Sequence, residues 1–246
     1  MGRLLMRCLS QLLMCNPSAE GNRSMSRAWD LAFEEAADEL SGVRRDLGRL
    51  DSLSLTVKGG GKDSLLRARA ATYVWLAAVL ERFVDGWLSG VVEEFNSSSL
   101  RWSDVRLSIL SLACGAQFQS IADGVRKDIW KKRVQIACMS ASDAPALLDV
   151  AHLPLDGRTI RPSHLDDVWA SFGFPGNPLP TPIHRALLNS VATYRNEVAH
   201  GVERPSVMGG KFTYSDYNNH VNRFEDIIEH LVICSEEYFE RRLYAR

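Results

Sequence analysis

The residues whose types and spacing could do chemistry are Arg195 and His200, which stand five positions apart with Asn196 directly after the arginine. A guanidinium stays charged and can stabilise the extra negative charge of a phosphorane, and an imidazole can move protons near neutral pH. Together they supply what RNA transesterification needs without a metal ion. We therefore predict that Arg195 and His200 are catalytic, and that Asn196 orients His200 or a phosphate oxygen.

A helix with clear ends is predicted to carry this motif. Thr181 suits an N-cap, Pro182 suits the first helical position, and Gly201 suits a left-handed C-terminal cap. Apolar residues recur at steps of three and four along it and predict one buried stripe, made of Ile183, Leu187, Val191, Tyr194 and Val198.

The helix geometry sets Arg195 and His200 at different angles. Five residues at roughly 100° each put them about 140° apart around the axis and about 7.5 Å apart along it. One helix alone would therefore aim Arg195 and His200 poorly at a single phosphate. Asn196 and His200, four residues apart, lie on the same face of the helix. A two-fold homodimer that brings two such helix ends together would place both arginines and both histidines in one cleft.

The sequence resembles the HEPN superfamily, and within it the prokaryotic branch named RiboL-PSP-HEPN or its neighbours. The resemblance rests on the spacing from Arg195 to His200 and Gly201, on Glu81 within a long apolar helix, and on a short helix over 164–173 that ends in glycine. It spans roughly residues 25 to 245. It implies a four- or five-helix up-and-down bundle, homodimerisation and, in active members, metal-independent endoribonuclease activity in toxin-antitoxin or anti-phage systems. Some members of the superfamily are non-catalytic.

The resemblance also assigns Glu81 to the candidate catalytic residues. In similar proteins such a glutamate lies close to the motif helix, where it could pair with Arg195 or position His200. The alternative is a solvated or structural carboxylate.

The helical pattern begins near Met25 and predicts an all-α, up-and-down bundle with a long N-terminal helical hairpin. A heptad seam starts at Trp29 and runs to Leu50, three glycines then break the chain at residues 59–61, and a second long helix is expected from about Asp63 to Asn96. Ser103 is expected to cap a third helix that runs to about Asp123. Residues 25–246 are predicted to form a single helical domain.

A second candidate RNA contact is the basic run after Gly124. We predict RNA binding by Lys131, Lys132 and Arg133, with Trp130 available for base stacking, and Arg126 and Lys127 extend the same cluster. Alternatively, the run is the solvated face of a helix with its apolar residues, Ile129, Val134 and Ile136, pointing inward.

Composition limits the compartment and the partners that we expect for the protein. The 246 residues are 46% apolar and carry a formal net charge of −1, so RNA binding would need a local basic patch. Five cysteines form no C-x-x-C pair, which suits a reducing, cytoplasmic compartment. No apolar stretch is long enough to span a bilayer, and we expect no membrane partner. Residues 1–24 are predicted to be a disordered extension or a mis-assigned start, with Met25 as the alternative start.

Two functions remain open from the sequence. The first is a metal-independent endoribonuclease that acts through the ribose 2′-hydroxyl, uses no cofactor or metal, spares DNA, and works with an antitoxin or defence-system partner. The second is a non-catalytic dimerisation module that binds a protein or RNA. In that module Arg195 would pair with Glu197 or Glu81, and His200 would only complement the negative end of its helix.

Overall fold

A computed structural model describes residues 27–123, 128–155, 157 and 159–246 of the chain. The expectations for residues 1–24, Arg126 and Lys127 lie outside these ranges. Within them the backbone forms α-helices and short 3-10 turns, and its only β-type pairing is two isolated bridges. The predicted all-α class is confirmed.

Nine α-helices are found in the described residues. They are α1 (Asp30–Ser54), α2 (Gly61–Ser97), α3 (Leu110–Ala113), α4 (Gly115–Ala122), α5 (Ile129–Met139), α6 (Pro162–Phe172), α7 (Pro182–Ala199), α8 (Pro205–Gly210) and α9 (Tyr214–Glu240). None of them is long and apolar enough to cross a membrane.

The helices α1 and α2 form the predicted hairpin. Four heptad positions of α1, Ala36, Leu40, Val43 and Leu47, are buried, and α1 packs along α2 after a reversal that contains Gly59 and Gly60. Three ion pairs follow one another in opposite order along the two helices, which shows that α1 and α2 are antiparallel: Arg27, just before α1, with Glu94, Glu39 with Arg82, and Asp51 with Arg69.

The helices α7 and α9 complete an up-and-down bundle around α2. Trp29, the N-cap of α1, packs against Phe239 near the end of α9, with 5.5 Å between the ring centroids. The helix α9 therefore runs antiparallel to α1. His184 at the start of α7 bonds to Asp226 in the middle of α9, whereas Tyr194 packs against Phe212 just before α9 begins. The helix α7 is therefore antiparallel to α9, as an up-and-down order requires.

The buried face of α7 differs from the predicted one at the start of the helix. Leu187 and Val191 are buried as expected, but Ile183 is 56% exposed and His184 takes the inward position at 8%. A histidine can be buried here because both ring nitrogens have partners, Thr181 Oγ1 at 2.8 Å and Asp226 Oδ2 at 3.2 Å. The expectation that Ile183 faces the core is wrong.

The single third helix predicted from Ser103 to Asp123 is also wrong. The chain there makes two 3-10 turns, Trp102–Asp104 and Leu107–Ile109, before α3 and α4. Backbone groups around Ser103 are bonded to distant segments: Trp102 N–H donates to Ala144 O, Arg106 N–H donates to Tyr244 O, and the Asp104 carbonyl, which a helix would use internally, accepts from Arg246 N–H. These tertiary hydrogen bonds outweigh the local helical preference.

Candidate active site

The C-terminal end of α7 faces a surface cleft of about 480 Å³. The middle of α2 and the segment that leads into α6 supply its other walls. The lining residues are Glu81, Gly157, Thr159, Arg161, His164, Arg195, Asn196 and His200. The four residues predicted as catalytic from the sequence therefore lie on one cleft of a single protomer, and their catalytic roles stay predictions.

Local sequence explains where α7 begins and where it ends at the cleft. Thr181 has extended backbone angles, Pro182 opens the helix, and Gly201 adopts a φ of +65° that ends it. His200 is the C-cap, and its N–H still donates to Asn196 O at 2.9 Å. The His200 side chain is exposed, so a proton-transfer group is accessible from solvent.

The Asn196 side chain contacts the arginine of the motif. Its Oδ1 accepts a hydrogen bond from Arg195 Nη1 at 3.3 Å, at the long end of the normal range. The amide thus helps to hold the guanidinium in place. The predicted role of Asn196 in orienting His200 or a phosphate stays a prediction.

Arg195 has no carboxylate partner in the described part of the chain. Neither Glu81 nor Glu197 lies within ion-pair distance of it there, although Glu81 lines the same cleft. Glu81 Oε1 is buried and has no hydrogen-bond partner among the described residues. Unsatisfied polar groups of this kind cost stability, and they are expected where a ligand completes the bonding.

The segment before α6 adds two basic side chains to the cleft. Arg161 and His164 line the cleft, and His164 Nδ1 accepts a hydrogen bond from the Arg161 backbone N–H at 3.3 Å. In that arrangement the neutral imidazole carries its proton on Nε2. One sequence signal marks this end of α6: Pro162 directly after Arg161 occupies the first helical position.

The helix α6 is fastened to α7 by a bidentate ion pair. Arg185 of α7 donates to both carboxylate oxygens of Asp166, at 2.8 and 2.6 Å. The hydrogen bond from Arg185 lowers the pKa of the Asp166 carboxyl, and the carboxylate raises the pKa of the Arg185 guanidinium. This pair fixes the wall that carries Arg161 and His164 against the helix that carries the motif.

The predicted RNA-binding cluster lies on α5, away from the residues that line the cleft. Trp130 is 72% exposed and the Arg133 guanidinium lies 5.0 Å from its ring centroid, whereas Lys132 bonds to Ser120 of α4. Lys131 is exposed. No described residue of α5 is buried, and Val134 is 58% exposed, so the alternative that Val134 points inward is wrong. RNA binding by this cluster stays a prediction.

Among the described residues that line the cleft, two guanidiniums face one carboxylate, which favours an anionic ligand. Within residues 27–123, 128–155, 157 and 159–246, no three His, Cys, Asp or Glu side chains come together as a metal-binding group.

Comparison with known proteins assigns the family. Searches of curated proteins and of solved structures gave no match. The family model described as HEPN_MAE_28990-like HEPN matches residues 32–244, which is most of the chain and includes both α2 with Glu81 and the Arg195 to His200 motif. The matching model bears a different name from the RiboL-PSP-HEPN branch, but it confirms the superfamily. The chain therefore belongs to the HEPN superfamily, through its HEPN_MAE_28990-like family.

Proposed function

We propose that this protein is a metal-independent endoribonuclease. Its family points to a nuclease-like or RNA-related role. The observation that carries the finer proposal is the cleft in which Arg195, without a carboxylate partner in the described chain, lies with the exposed His200.

The chemistry follows from the two side chains. The ribose 2′-oxygen attacks the adjacent phosphorus, the bond from phosphorus to the 5′-oxygen breaks, and the products carry a 2′,3′-cyclic phosphate and a 5′-hydroxyl. His200 takes the proton from the 2′-hydroxyl or gives one to the departing 5′-oxygen. Arg195 donates hydrogen bonds to the phosphoryl oxygens, where negative charge builds up in the transition state.

The two remaining predicted catalytic residues have supporting roles in this proposal. Asn196 holds the Arg195 guanidinium through its 3.3 Å hydrogen bond or contacts a phosphate oxygen itself. Glu81 offers a buried, unpartnered oxygen to a hydrogen-bond donor of the substrate or to one of the cleft's cations.

A homodimer would supply the second proton-transfer group. One imidazole cannot be base and acid in the same step, whereas a two-fold axis next to the cleft would bring a second copy of His200. Val202, two residues beyond His200, is 78% exposed and could contribute to such an interface. Sedimentation of the purified protein tests the dimer, and mixing an inactive Arg195 variant with an inactive His200 variant tests whether the site is shared.

Further proposals concern the partners. The α5 cluster of Trp130, Lys131, Lys132 and Arg133 would bind RNA flanking the cleft. A toxin-antitoxin or anti-phage role would pair the enzyme with an antitoxin or defence-system protein. Growth arrest on expression of the active chain, relieved in the His200→Ala variant, would support that role.

The direct test is cleavage of RNA in excess EDTA. We expect Arg195→Ala to lower the rate by about 10²–10³-fold and His200→Ala by about 10²–10⁴-fold. The matched controls are Arg49→Ala on α1, whose 75% exposed side chain pairs with Asp46, and His152→Ala, which replaces an exposed histidine outside the cleft lining. Activity that disappears with EDTA, or that survives in both folded motif variants, would remove the proposal.

One observation argues against the second candidate function, a non-catalytic helical module. Its account of the motif requires Arg195 to pair with Glu197 or Glu81, and neither pair forms in the described residues. RNA binding without cleavage by the wild-type protein would nevertheless favour it.

A further inference from the structure

Arg161 is a second guanidinium in the cleft, and it belongs to a different element from Arg195. It stands immediately before α6, whereas Arg195 lies in the last turns of α7. Within the described chain the Arg161 side chain has neither a carboxylate partner nor a hydrogen-bond acceptor. The cleft therefore presents two cations from two walls, and no carboxylate in the described part of the chain pairs with either one.

The backbone of Arg161 is held firmly. Its neighbours Ile160 and Pro162 are buried, Thr159 is only 8% exposed, and its own N–H donates to His164 Nδ1. The Asp166–Arg185 pair then fastens the whole wall to α7. A guanidinium on such a support needs to order only its own side chain on binding, whereas an arginine on a mobile surface loop must order its backbone as well.

The charges and the size of the cleft point to more than one phosphate. Among the described lining residues, Arg161 and Arg195 carry two positive charges and Glu81 carries the one carboxylate. A volume of about 480 Å³ is within the range of sites that hold a small organic ligand, and so exceeds what one phosphate group needs. Single-stranded RNA brings one negative charge with every nucleotide, and the planar guanidinium matches a phosphate with two parallel hydrogen bonds.

We propose that Arg161 forms a second phosphate subsite, which holds a phosphodiester next to the one that Arg195 and His200 act on. The Thr159 hydroxyl, on the same wall, is a further donor for this phosphate. This inference rests on the proposed function and narrows its substrate: a single-stranded RNA with at least two successive phosphates, in preference to a dinucleoside monophosphate.

The test measures binding and cleavage separately. Binding of a fully 2′-O-methylated RNA of about ten nucleotides, which has no nucleophile and cannot be cut, is followed by fluorescence anisotropy between about 50 and 200 mM salt. We expect Arg161→Ala to reduce the slope of log K against log salt by about 0.7, the value for one phosphate contact on a single strand. Arg161→Lys should keep the slope, and Arg49→Ala is the control for loss of an arginine outside the cleft.

Cleavage of short substrates then locates the phosphate. Arg161→Ala should lose more activity on a substrate that carries the second phosphate than on a dinucleoside monophosphate, which has no phosphate to place in the subsite. An unchanged salt slope in Arg161→Ala, or an equal loss of rate on the dinucleoside monophosphate, would overturn the subsite. If the wild-type protein cuts no RNA, the proposed function fails, but the salt slope still decides whether Arg161 holds a phosphate.

Discussion

The short helix α8 lies directly against α2. Because of this contact, we expect alanine to destabilise the protein at one glycine of α8 and to stabilise it at the next. A Cβ on Gly209 would lie 1.7 Å from the Leu66 carbonyl oxygen and 2.6 Å from its carbon. The first distance is about half of a normal contact, and the obstacle is backbone, so α8 must move. Overpacking of this kind costs about 1–3 kcal/mol, and we expect Gly209→Ala to reach the upper end.

The neighbouring glycine supplies the control. A Cβ on Gly210 would lie 3.9 Å from the Leu66 methyl groups, which is ordinary contact, and the residue is exposed. Since alanine reduces the freedom of the unfolded chain, Gly210→Ala should stabilise the fold by about 0.4–1 kcal/mol.

Thermal unfolding followed by circular dichroism measures both effects. For a chain of this size about 1 kcal/mol corresponds to roughly 2–4 °C, so Gly209→Ala should lower Tm by about 6–12 °C and Gly210→Ala should raise it slightly. Equal Tm values for the two variants would refute the close approach of α8 to α2.

Two further predictions concern interactions that hold the bundle and the cleft. Ser235→Ala removes the acceptor 2.8 Å from the buried Trp87 Nε1, so the free energy of unfolding in urea should fall by about 1–3 kcal/mol, and an unchanged value would mean that the indole has another acceptor. Asp166→Asn breaks the partly exposed pair with Arg185 and should cost no more than about 1 kcal/mol at pH 7. Because the Asp166 pKa is lowered in the folded state, the pair's contribution is fully present above the ordinary aspartate pKa of about 3.9 and is lost as the pH falls through the lowered pKa of the folded state, so the difference between variant and wild type should shrink below about pH 4. A difference that does not shrink at all between pH 7 and the acid limit of folding would rule out the carboxylate as its source.

The long helices could be predicted from the sequence because their periodicity reflects burial directly. The α2 helix, expected from Asp63 to Asn96, spans Gly61–Ser97, and the predicted seam of α1 is largely buried. Short elements were harder to predict from the sequence. The region after Ser103 is broken by hydrogen bonds to Ala144 and Tyr244, which no local pattern reveals, and His184 is buried only because Thr181 and Asp226 satisfy its ring.

The same distinction applies to the candidate site. Arg195, Asn196 and His200 were identified from their spacing within one helix, and Glu81 from a family resemblance. Arg161, His164 and Thr159 reach the cleft through the packing of α6 on α7, a tertiary contact that depends on Asp166 and Arg185. Local sequence shows that Pro162 opens a helix, but it does not show which cleft that helix end faces.

The most direct test of the central claim is the dependence of cleavage on the ribose 2′-hydroxyl in excess EDTA. A ribo-oligonucleotide and its 2′-O-methyl counterpart are treated with the wild-type protein, with Arg195→Ala and with His200→Ala, and the product ends are identified by mass spectrometry. The account predicts 2′,3′-cyclic phosphate and 5′-hydroxyl ends from the ribo-oligonucleotide with wild type alone, and no cleavage of the methylated strand. Cleavage of the methylated strand, or products with 5′-phosphate ends, would contradict it.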